Sequence, residues 1–538
     1  LDVSVGRVIP AGSRFWVAIA AFTLIGLVLR LKGIHDPIFD HPSWRQGDTA
    51  AIARNFAQLQ YNPLFPQTDY DGPAPNYVEL ELQIVPFLAA TMYKLFGVHE
   101  VFGRLISLAF GVATIPLLAA FGRWLFRSPV AGIGAAAAFT ILPGAWYYSR
   151  TFMPDTAMTF FLTAALFACG RWIVDDEGRN WRSWSIAAVL LMTAFLAKPV
   201  AVAAVVPIGA AAFARFGVRG AVLRPQLWLL AVVAFVPLAV YDAIVSSHAE
   251  WHWASGITRL HVIPSLIGAL TSLHAFGVKA KAFALAIKML GTTMAGPVAL
   301  LLALGGLIVP LRSRSDALVW GWLGGGLLYA YVVVTVERVD YYLYLLLPLV
   351  ALLVGHLLDA GVRYAGDVAP RRTIAAAVAA VVWLGAAYTG HREIAPYYAW
   401  SHVNYVRAKQ LDATLAPGAL VVMGHYDPSI LYTIGRKGWE EDPHAWTPFD
   451  EESAIRKGAR YYISVEHRRL KQTNLELYCW LARFPVIDPH AAWPVYETDP
   501  GKVLPGAEAR WQAFRRREFA GAYADWRREW RSAPDPCR

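Results

Sequence analysis

"QIVPFLAATMYKLFG", residues 83–97, is the stretch on which the topology of this chain turns. It is apolar but short, is interrupted by Pro86, and carries Lys94 near its end. A helix that crosses a bilayer takes about 20 apolar residues, with about 17–25 tolerated. The run is therefore read as an interfacial helix that does not cross. Outward from it, apolar runs lie near 15–31, 104–125, 130–148, 155–174, 183–197, 199–216, 227–247, 292–311, 317–335, 341–358 and 373–390. The expectation is a polytopic α-helical membrane protein with about 11 transmembrane helices. With Arg7 and Arg14 inside, short basic loops follow on the same side. They carry Arg123 and Arg127; Arg171, Arg179 and Arg182; Arg215, Arg219 and Arg224; Arg312 and Arg314; Arg363, Arg371 and Arg372. This is the positive-inside pattern, and it fails if residues 83–97 span.

Composition agrees. The 538 residues are 56% hydrophobic and only 16% charged, against about 25% charged in a soluble domain. A net charge of +10 on a soluble chain would suggest nucleic acid. Here the basic residues serve the loops, and no nucleic-acid partner is expected. The first apolar run leads into a charged segment and lacks a small-residue cleavage site, so it is read as a span and not as a cleaved leader. Three cysteines do not make a disulfide framework; Cys169 lies in a span, while Cys479 and Cys537 lie in the polar C-terminal part.

Two regions follow. Residues 1–390 form a transmembrane module, with 32–103 as a first outer loop bearing interfacial helices and 248–291 as a further outer loop. The latter has Trp251, Trp253, His252, Arg259, His261, Lys279 and Lys281 among apolar residues. Residues 391–538 have no span. "ALVVMGHY" (419–426) and "ARYYISVE" (459–466) read as strands, so a small α/β extracytoplasmic domain is expected. In "WQAFRRREFAGAYADWRREWR" (511–531), Phe519, Ala522, Trp526 and Trp530 recur at helical spacing, which suits a helix packed on this domain or lying on the membrane.

The outer side gathers the charges that need a purpose. "FDHPSWRQGDTAAIARNF" (39–56) holds Asp40, His41, Trp44, Arg45 and Asp48. Gly47 would loosen a turn and Asp48-Thr49 would cap a helix begun by "AAIARNF"; Asp40 would serve as a turn residue. Glu79 and Glu81 precede the interfacial helix, whose dipole either would complement. Asp155, after Met153-Pro154, sits in the first turn of a span. Lys198 is an isolated cation between two apolar runs, placed to snorkel or to meet a phosphate. In "VERVDYYLYLLLP", Tyr341 and Tyr342 suit an aromatic belt, and the Arg338 fork suits a phosphate. So many ionisable groups at one surface imply a polar cavity. His41, His248, His252 and His261 show no zinc spacing.

These residues, in this order, resemble the GT-C glycosyltransferases, in particular family 39, the protein-mannosyltransferase-like family, and the lipid A aminoarabinose transferases. The likeness rests on "WRQGDTAAIARNF", "YVELELQIVPFLAATMYKLFG", "FGRLISLAFG", "MPDTAMTFF", "LAKP" and "YYLYLLLPLVALLVG", and covers about residues 15–360. It implies a GT-C-like fold in a bacterial cytoplasmic membrane, with the active site and C-terminal domain facing the periplasm. It also implies inverting transfer of a sugar from a polyprenyl-phosphate-linked donor to a glycan, lipid or protein acceptor, with membrane lipids as further partners. The general base would be Asp48, with Asp40 second. Glu79 and Asp155 would orient a substrate or hold a divalent metal, no cofactor being strictly required. Lys198, Arg338 and Arg45 would hold the phosphate, with Tyr341 and Tyr342 beside it; Glu81, His41 and Trp44 would face the acceptor. The chain departs from the family at Arg45-Gln46, where relatives carry an adjacent Asp-Glu pair. A lipid-linked glycan ligase or polymerase, and a transporter or flippase, are the rival readings. The first lacks an acidic first outer loop. The second calls for an inverted repeat and charges at the midplane.

Overall fold

The computed structural model describes residues 11–311, 313–366, 368–487, 492–519 and 537. Its first ten α-helices are α1 (Ala11–Arg30), α2 (Ser43–Gln58), α3 (Ile84–Phe96), α4 (Glu100–Leu125), α5 (Pro129–Ile141), α6 (Pro143–Tyr148), α7 (Asp155–Val174), α8 (Trp181–Ala197), α9 (Val205–Val222) and α10 (Pro225–Ser246). The strands are β1 (Val78–Glu79), β2 (Trp251–His252), β3 (Leu420–Met423), β4 (Lys437–Glu440), β5 (Ala459–Ile463) and β6 (Val495–Glu497). The chain divides into two compact units. The first comprises Leu1–His35, Tyr61–Phe65 and Val78–Ala399; the second comprises Asp36–Gln60, Pro66–Tyr77 and Trp400–Arg538. Residues 36–60 and 66–77, assigned from sequence to the membrane module, thus group with the C-terminal segment.

The first unit is a helical membrane protein that crosses the bilayer many times. Among the described residues, eight helices are long and apolar enough to span. A ninth is added if Leu273–Met294 and Pro297–Ile308, bent by 112°, count as one. The sequence count of about eleven exceeds this, the excess lying in three places. The run near 130–148 is cut at Pro143 into α5 and α6, α8 has 17 residues, and the run near 292–311 yields only the 12-residue helix Pro297–Ile308. α3 is a 13-residue apolar helix, short for a crossing.

The cut at Pro143 shows how the interior tolerates polar backbone. Proline has no N–H to give the carbonyl four residues earlier, and an unmatched carbonyl inside a bilayer costs several kcal/mol. Arg30, at the end of α1 and fully buried, fills the gap. It donates to Phe139 O and Thr140 O at 3.0 Å and to Ala145 O and Gly26 O at 3.1 Å. Small residues set the neighbouring contacts: a Cβ on Gly132 would fall 2.4 Å from Ala119 O, and one on Gly355 2.3 Å from Ala131 O. Only glycine permits such approach between packed helices.

The second unit is α/β. Its sheet has the order β4-β3-β5-β6; β3 runs parallel to β4 and β5, and β6 antiparallel to β5. β3 and β5 stand within the two expected runs. Val422, Tyr462, Trp480 and Phe514 are buried in one apolar cluster beside them. Cys479 and Cys537, left unpaired by the sequence reading, form a disulfide. Of the C-terminal helical pattern, the helix Ala507–Phe519 is described; Ala522, Trp526 and Trp530 lie outside the described residues.

Candidate active site

The second unit holds Asp40, His41, Trp44, Arg45 and Asp48. α2 starts at Ser43, with Pro42 at its N-cap, several residues earlier than the sequence suggested. Asp48 and Thr49 are therefore not caps. Thr49 donates back to Arg45 O at 2.7 Å, while Asp48 lies in the helix interior and is only 7% exposed. Gly47 does not loosen a turn either. A Cβ there would sit 2.5 Å from Ser429 N and 2.9 Å from Pro428 C, so glycine lets α2 press directly on the helix Pro428–Ile434. Ser43 Oγ donates to Asp427 Oδ2 at 2.6 Å across the same contact.

A second seam locks the loop after α2 onto β4. Gly72 N donates to Gly438 O at 2.8 Å and Gly438 N to Asp69 O at 3.0 Å. Asp69 pairs with Arg54, receives Lys437 Nζ at 3.1 Å, and accepts from Asn55 Nδ2 at 3.1 Å. Burial alone would raise its carboxyl, but Arg54, Lys437 and Asn55 outweigh this and hold it below the ordinary value. A depressed acid stabilises the fold above its unfolded value of about 4 and loses that contribution as pH falls through its folded value. Asp69→Asn, which strands two cations in a buried seam, is expected to cost about 3–5 kcal/mol. It should also flatten the acid limb of thermal unfolding measured from pH 5 to 2.

These seams bring acids together around Asp48. Its Oδ2 lies 3.9 Å from Arg45 Nη1, and the Tyr70 hydroxyl hydrogen-bonds to it. Oδ1 is buried without a hydrogen-bond partner among the described residues. Burial, followed in effect by Asp427 and Asp71, lifts Asp48 to about 7, against the opposing pull of Arg45 and Tyr70. Glu440, at the end of β4, is 6% exposed, and its Oε2 has no hydrogen-bond partner among the described residues. Burial and the charges of Asp48, Asp71, Asp427 and Glu441 push it well above the carboxylate range. Asp40 is buried, and its Oδ1 accepts from Gln46 Nε2 at 2.8 Å. His41 is exposed, and Trp44 is 39% exposed.

The first unit holds the remaining candidates. Asp155 opens α7, and Lys198 closes α8. Both are buried, with Nζ 2.6 Å from Oδ1; among the described residues Asp155 Oδ2 has no hydrogen-bond partner. The ammonium lies 4.6 Å from the Tyr342 ring centroid and 5.4 Å from that of Tyr341. Four sequence candidates thus meet, and Lys198 is a paired cation where a snorkelling one was considered. Nearby in sequence, Asp340 accepts from Tyr148 and Tyr397 at 2.6 Å and from Thr293 at 2.8 Å. Arg338 adopts a left-handed conformation, φ 54°; it is exposed and makes no ion pair among the described residues.

Glu79 stands apart from helix-dipole duty. It lies in β1, which pairs parallel with β2, Glu79 opposite His252. Its carboxyl accepts from Ser255 N at 3.0 Å and Ser255 Oγ at 2.7 Å and shares a hydrogen bond with Asp242. Burial and Asp242 raise it despite Ser255. Glu81 is buried; its carbonyl accepts from Tyr241 at 3.1 Å and Gln83 at 2.8 Å. An apolar cavity of about 560 Å³, lined by residues such as Ala137, Leu302, Val354 and Trp383, contains none of the candidate residues. No three His, Cys, Asp or Glu side chains among the described residues are arranged to share an ion.

Comparison with solved structures fixes what kind of scaffold this is. ArnT from Cupriavidus metallidurans, solved bound to undecaprenyl phosphate, aligns over 92% of this chain and 100% of its own, with TM-score 0.58 and 13% identity. The fold is the GT-C fold. The archaeal oligosaccharyltransferase AglB from Archaeoglobus fulgidus, solved with an inhibitory peptide and a dolichol-phosphate, aligns over 92% of this chain and 75% of its own, with TM-score 0.57 and 12% identity. Residues 83–241 match the family described as dolichyl-phosphate-mannose-protein mannosyltransferase; the segment contains Asp155 and Lys198. No curated protein matches by sequence.

Within this GT-C chain, sequence reasoning missed Tyr70, Asp427 and Glu440. The available signal was acid density: "TDYDG" (68–72), and "GWEEDP" (438–443) directly after a strand pattern.

Proposed function

We propose that this chain is a membrane glycosyltransferase. It moves a sugar from a polyprenyl-phosphate-linked donor to an envelope glycan, lipid or protein acceptor, on the outer face of a bacterial cytoplasmic membrane. The observation that carries the reading is Asp48, a buried carboxyl with an unpartnered oxygen and a proton affinity near neutral. A general base works best when its pKa lies near the operating pH. Asp48 takes the proton of the acceptor hydroxyl. The acceptor oxygen bonds to the anomeric carbon while the bond from that carbon to the phosphate oxygen breaks. The phosphate departs with the electron pair, and the anomeric centre inverts. Asp40, already engaged by Gln46, is less available for this step.

Lys198 is the proposed phosphate ligand. It is a buried ammonium with Tyr341 and Tyr342 beside it, and Asp155 holds it until an anion competes. Arg338 and Arg45 are further cations for the donor, and Glu79 a further carboxyl for orienting a substrate. The solved ArnT and AglB hold undecaprenyl phosphate and dolichol-phosphate, which supports a lipid of this class here. Mass spectrometry of the protein purified in mild detergent is expected to find a co-purifying polyprenyl phosphate or its glycoside. Phospholipid alone would count against the reading.

The basic loops support the orientation, as does the Cys479–Cys537 disulfide, since such bonds persist in oxidising compartments. Cysteines introduced at positions 83 and 97 should both react with an impermeant thiol reagent from outside. Protection of one of them until the cell is opened would overturn the topology.

A further inference from the structure

We propose that the apolar cavity of the first unit is a phospholipid site. It takes one acyl chain of an anionic phospholipid, with the lipid phosphate at Arg372.

The cavity, of about 560 Å³, is walled by the helices Leu347–Ala365 and Ala369–Ile394, by α5 and by the helix Pro297–Ile308. The helix Ala369–Ile394 explains why it exists. Its buried residues are Ala386, Gly390 and Ile394, all towards its C-terminal end. There a Cβ on Gly390 would fall 3.1 Å from Pro143 Cδ, so the helix lies close against α6. Towards its N-terminus it stands off the bundle, and Ala375, Ala376 and Ala379 line the gap. Packed interiors hold few voids larger than a water molecule. A space of this size falls instead in the range of ligand sites, about 300–1,000 Å³.

The two ends of the groove differ, and the difference names the occupant. Arg372, in the first turn of the helix Ala369–Ile394, is the charged residue of an otherwise apolar lining. Its Nε donates to Gly366 O at 2.6 Å, which holds the guanidinium at this end. Arg371 precedes it, and Arg363 stands in the last turn of Leu347–Ala365. No described side chain caps the helix that Arg372 opens, so the helix dipole adds to the positive potential. Basic pockets between membrane helices favour anionic headgroups. At the other end Trp383 closes the groove. Its Nε1 donates to Ala137 O at 2.8 Å, and its ring lies 6.0 Å from that of Phe22. From Arg372 to Trp383 the helix rises about 16 Å, at about 1.5 Å per residue. One leaflet of a bilayer has about 15 Å of hydrocarbon, half of the whole core. A soluble anion would leave the apolar walls uncovered, and a neutral hydrocarbon makes no use of the basic end. A polyprenyl chain is longer than the groove. A phospholipid from the leaflet beside the basic loops, with one chain inside and its phosphate at Arg372, fits both ends.

The test uses the full-length protein in phosphatidylcholine nanodiscs. The probe is phosphatidylglycerol carrying a diazirine in one acyl chain. Photolabelling is expected on groove residues such as Val354, Ala376 and Ala379. It should exceed that on Val381 and Leu384, which lie on the same helix, are 69% and 61% exposed and meet bulk lipid. Unlabelled phosphatidylglycerol should compete at the groove residues, and phosphatidylethanolamine should not. Arg372→Gln should weaken that competition about fivefold, since a basic residue near a lipid headgroup contributes about 1 kcal/mol. Ala376→Phe with Ala379→Phe fills the groove. It should cut labelling of Val354 at least about tenfold, the worth of two excluded methylenes, and leave Val381 and Leu384 as labelled as before. If the double variant does not fold, the competition and Arg372→Gln decide. Equal labelling of groove and lipid-facing residues would mean that bulk lipid fills the space, and the proposal falls. It falls too if phosphatidylethanolamine competes as well as phosphatidylglycerol, or if Arg372→Gln changes nothing. Stronger competition by undecaprenyl phosphate than by phosphatidylglycerol would hand the groove to a polyprenyl chain and overturn it.

Discussion

Asp48→Asn is expected to lower sugar transfer about 100- to 10,000-fold, the range supplied by a positioned general base, and at the same time to raise the melting temperature at neutral pH. The two effects have one cause. Asp48 is buried, and its folded value of about 7 lies above the ordinary carboxyl value of about 4. Between these values the folded chain holds a proton that the unfolded chain has released. Stability therefore falls as pH rises through that window, and the cost is complete above the folded value. Asparagine keeps the shape and carries no charge, so it escapes the cost. The gain in melting temperature should be near zero at pH 4 and greatest at pH 8. A residue whose removal stabilises the protein is one retained for chemistry. Transfer close to wild type in Asp48→Asn would shift the base to Asp40. A melting temperature lowered equally at pH 4 and pH 8 would instead make Asp48 a structural group.

How much of this was legible in the sequence depended on the distance over which each signal acts. Spans announce themselves locally, and so did the strands at 420–423 and 459–463. At one break in the membrane module, a local rule met a partner far away. Pro143 ends α5, yet the break persists because Arg30, more than a hundred residues earlier, satisfies the carbonyls. Asp155 and Lys198 were each singled out from their own surroundings, as helix-start acid and isolated cation. Their pairing is a tertiary fact that no spacing encodes.

The stretch 39–56 shows the limit more sharply. Its unusual charge was visible, but both the cap assigned to Asp48 and the turn assigned to Gly47 were local explanations for residues with distant partners. Asp48 answers to Tyr70, Asp427 and Glu440, and Gly47 to the backbone at 428 and 429. A domain boundary drawn by hydropathy at residue 390 could not show that α2 folds with strands hundreds of residues later. Hydropathy distinguishes lipid from water; it does not say which polar segments share a core.

Lys198→Ala should cost both stability and donor binding, and a double substitution should separate them. The pair to Asp155 is buried at both ends, and removing one partner from such a pair leaves a charge without compensation, at about 3–5 kcal/mol. Loss of donor affinity in Lys198→Ala alone would therefore be ambiguous, because a loosened α7–α8 contact would produce it too. Replacing both partners by uncharged side chains of similar size, Asp155→Leu with Lys198→Met, removes the stranded charge and is often neutral or stabilising. In the double variant, thermal stability should return to about the wild-type level, whereas affinity for a polyprenyl phosphate in nanodiscs should stay at least about tenfold weaker. The missing ammonium is worth more than 1.4 kcal/mol to a phosphate shielded from water. Arg338→Ala, which removes an exposed cation with no carboxylate partner among the described residues, should weaken the same lipid less and leave the melting temperature unchanged. If the double variant regains donor affinity along with stability, Lys198 is a helix tether and the phosphate is held elsewhere. If affinity survives the loss of both Lys198 and Arg338, the assignment of the donor phosphate to this unit's cations falls.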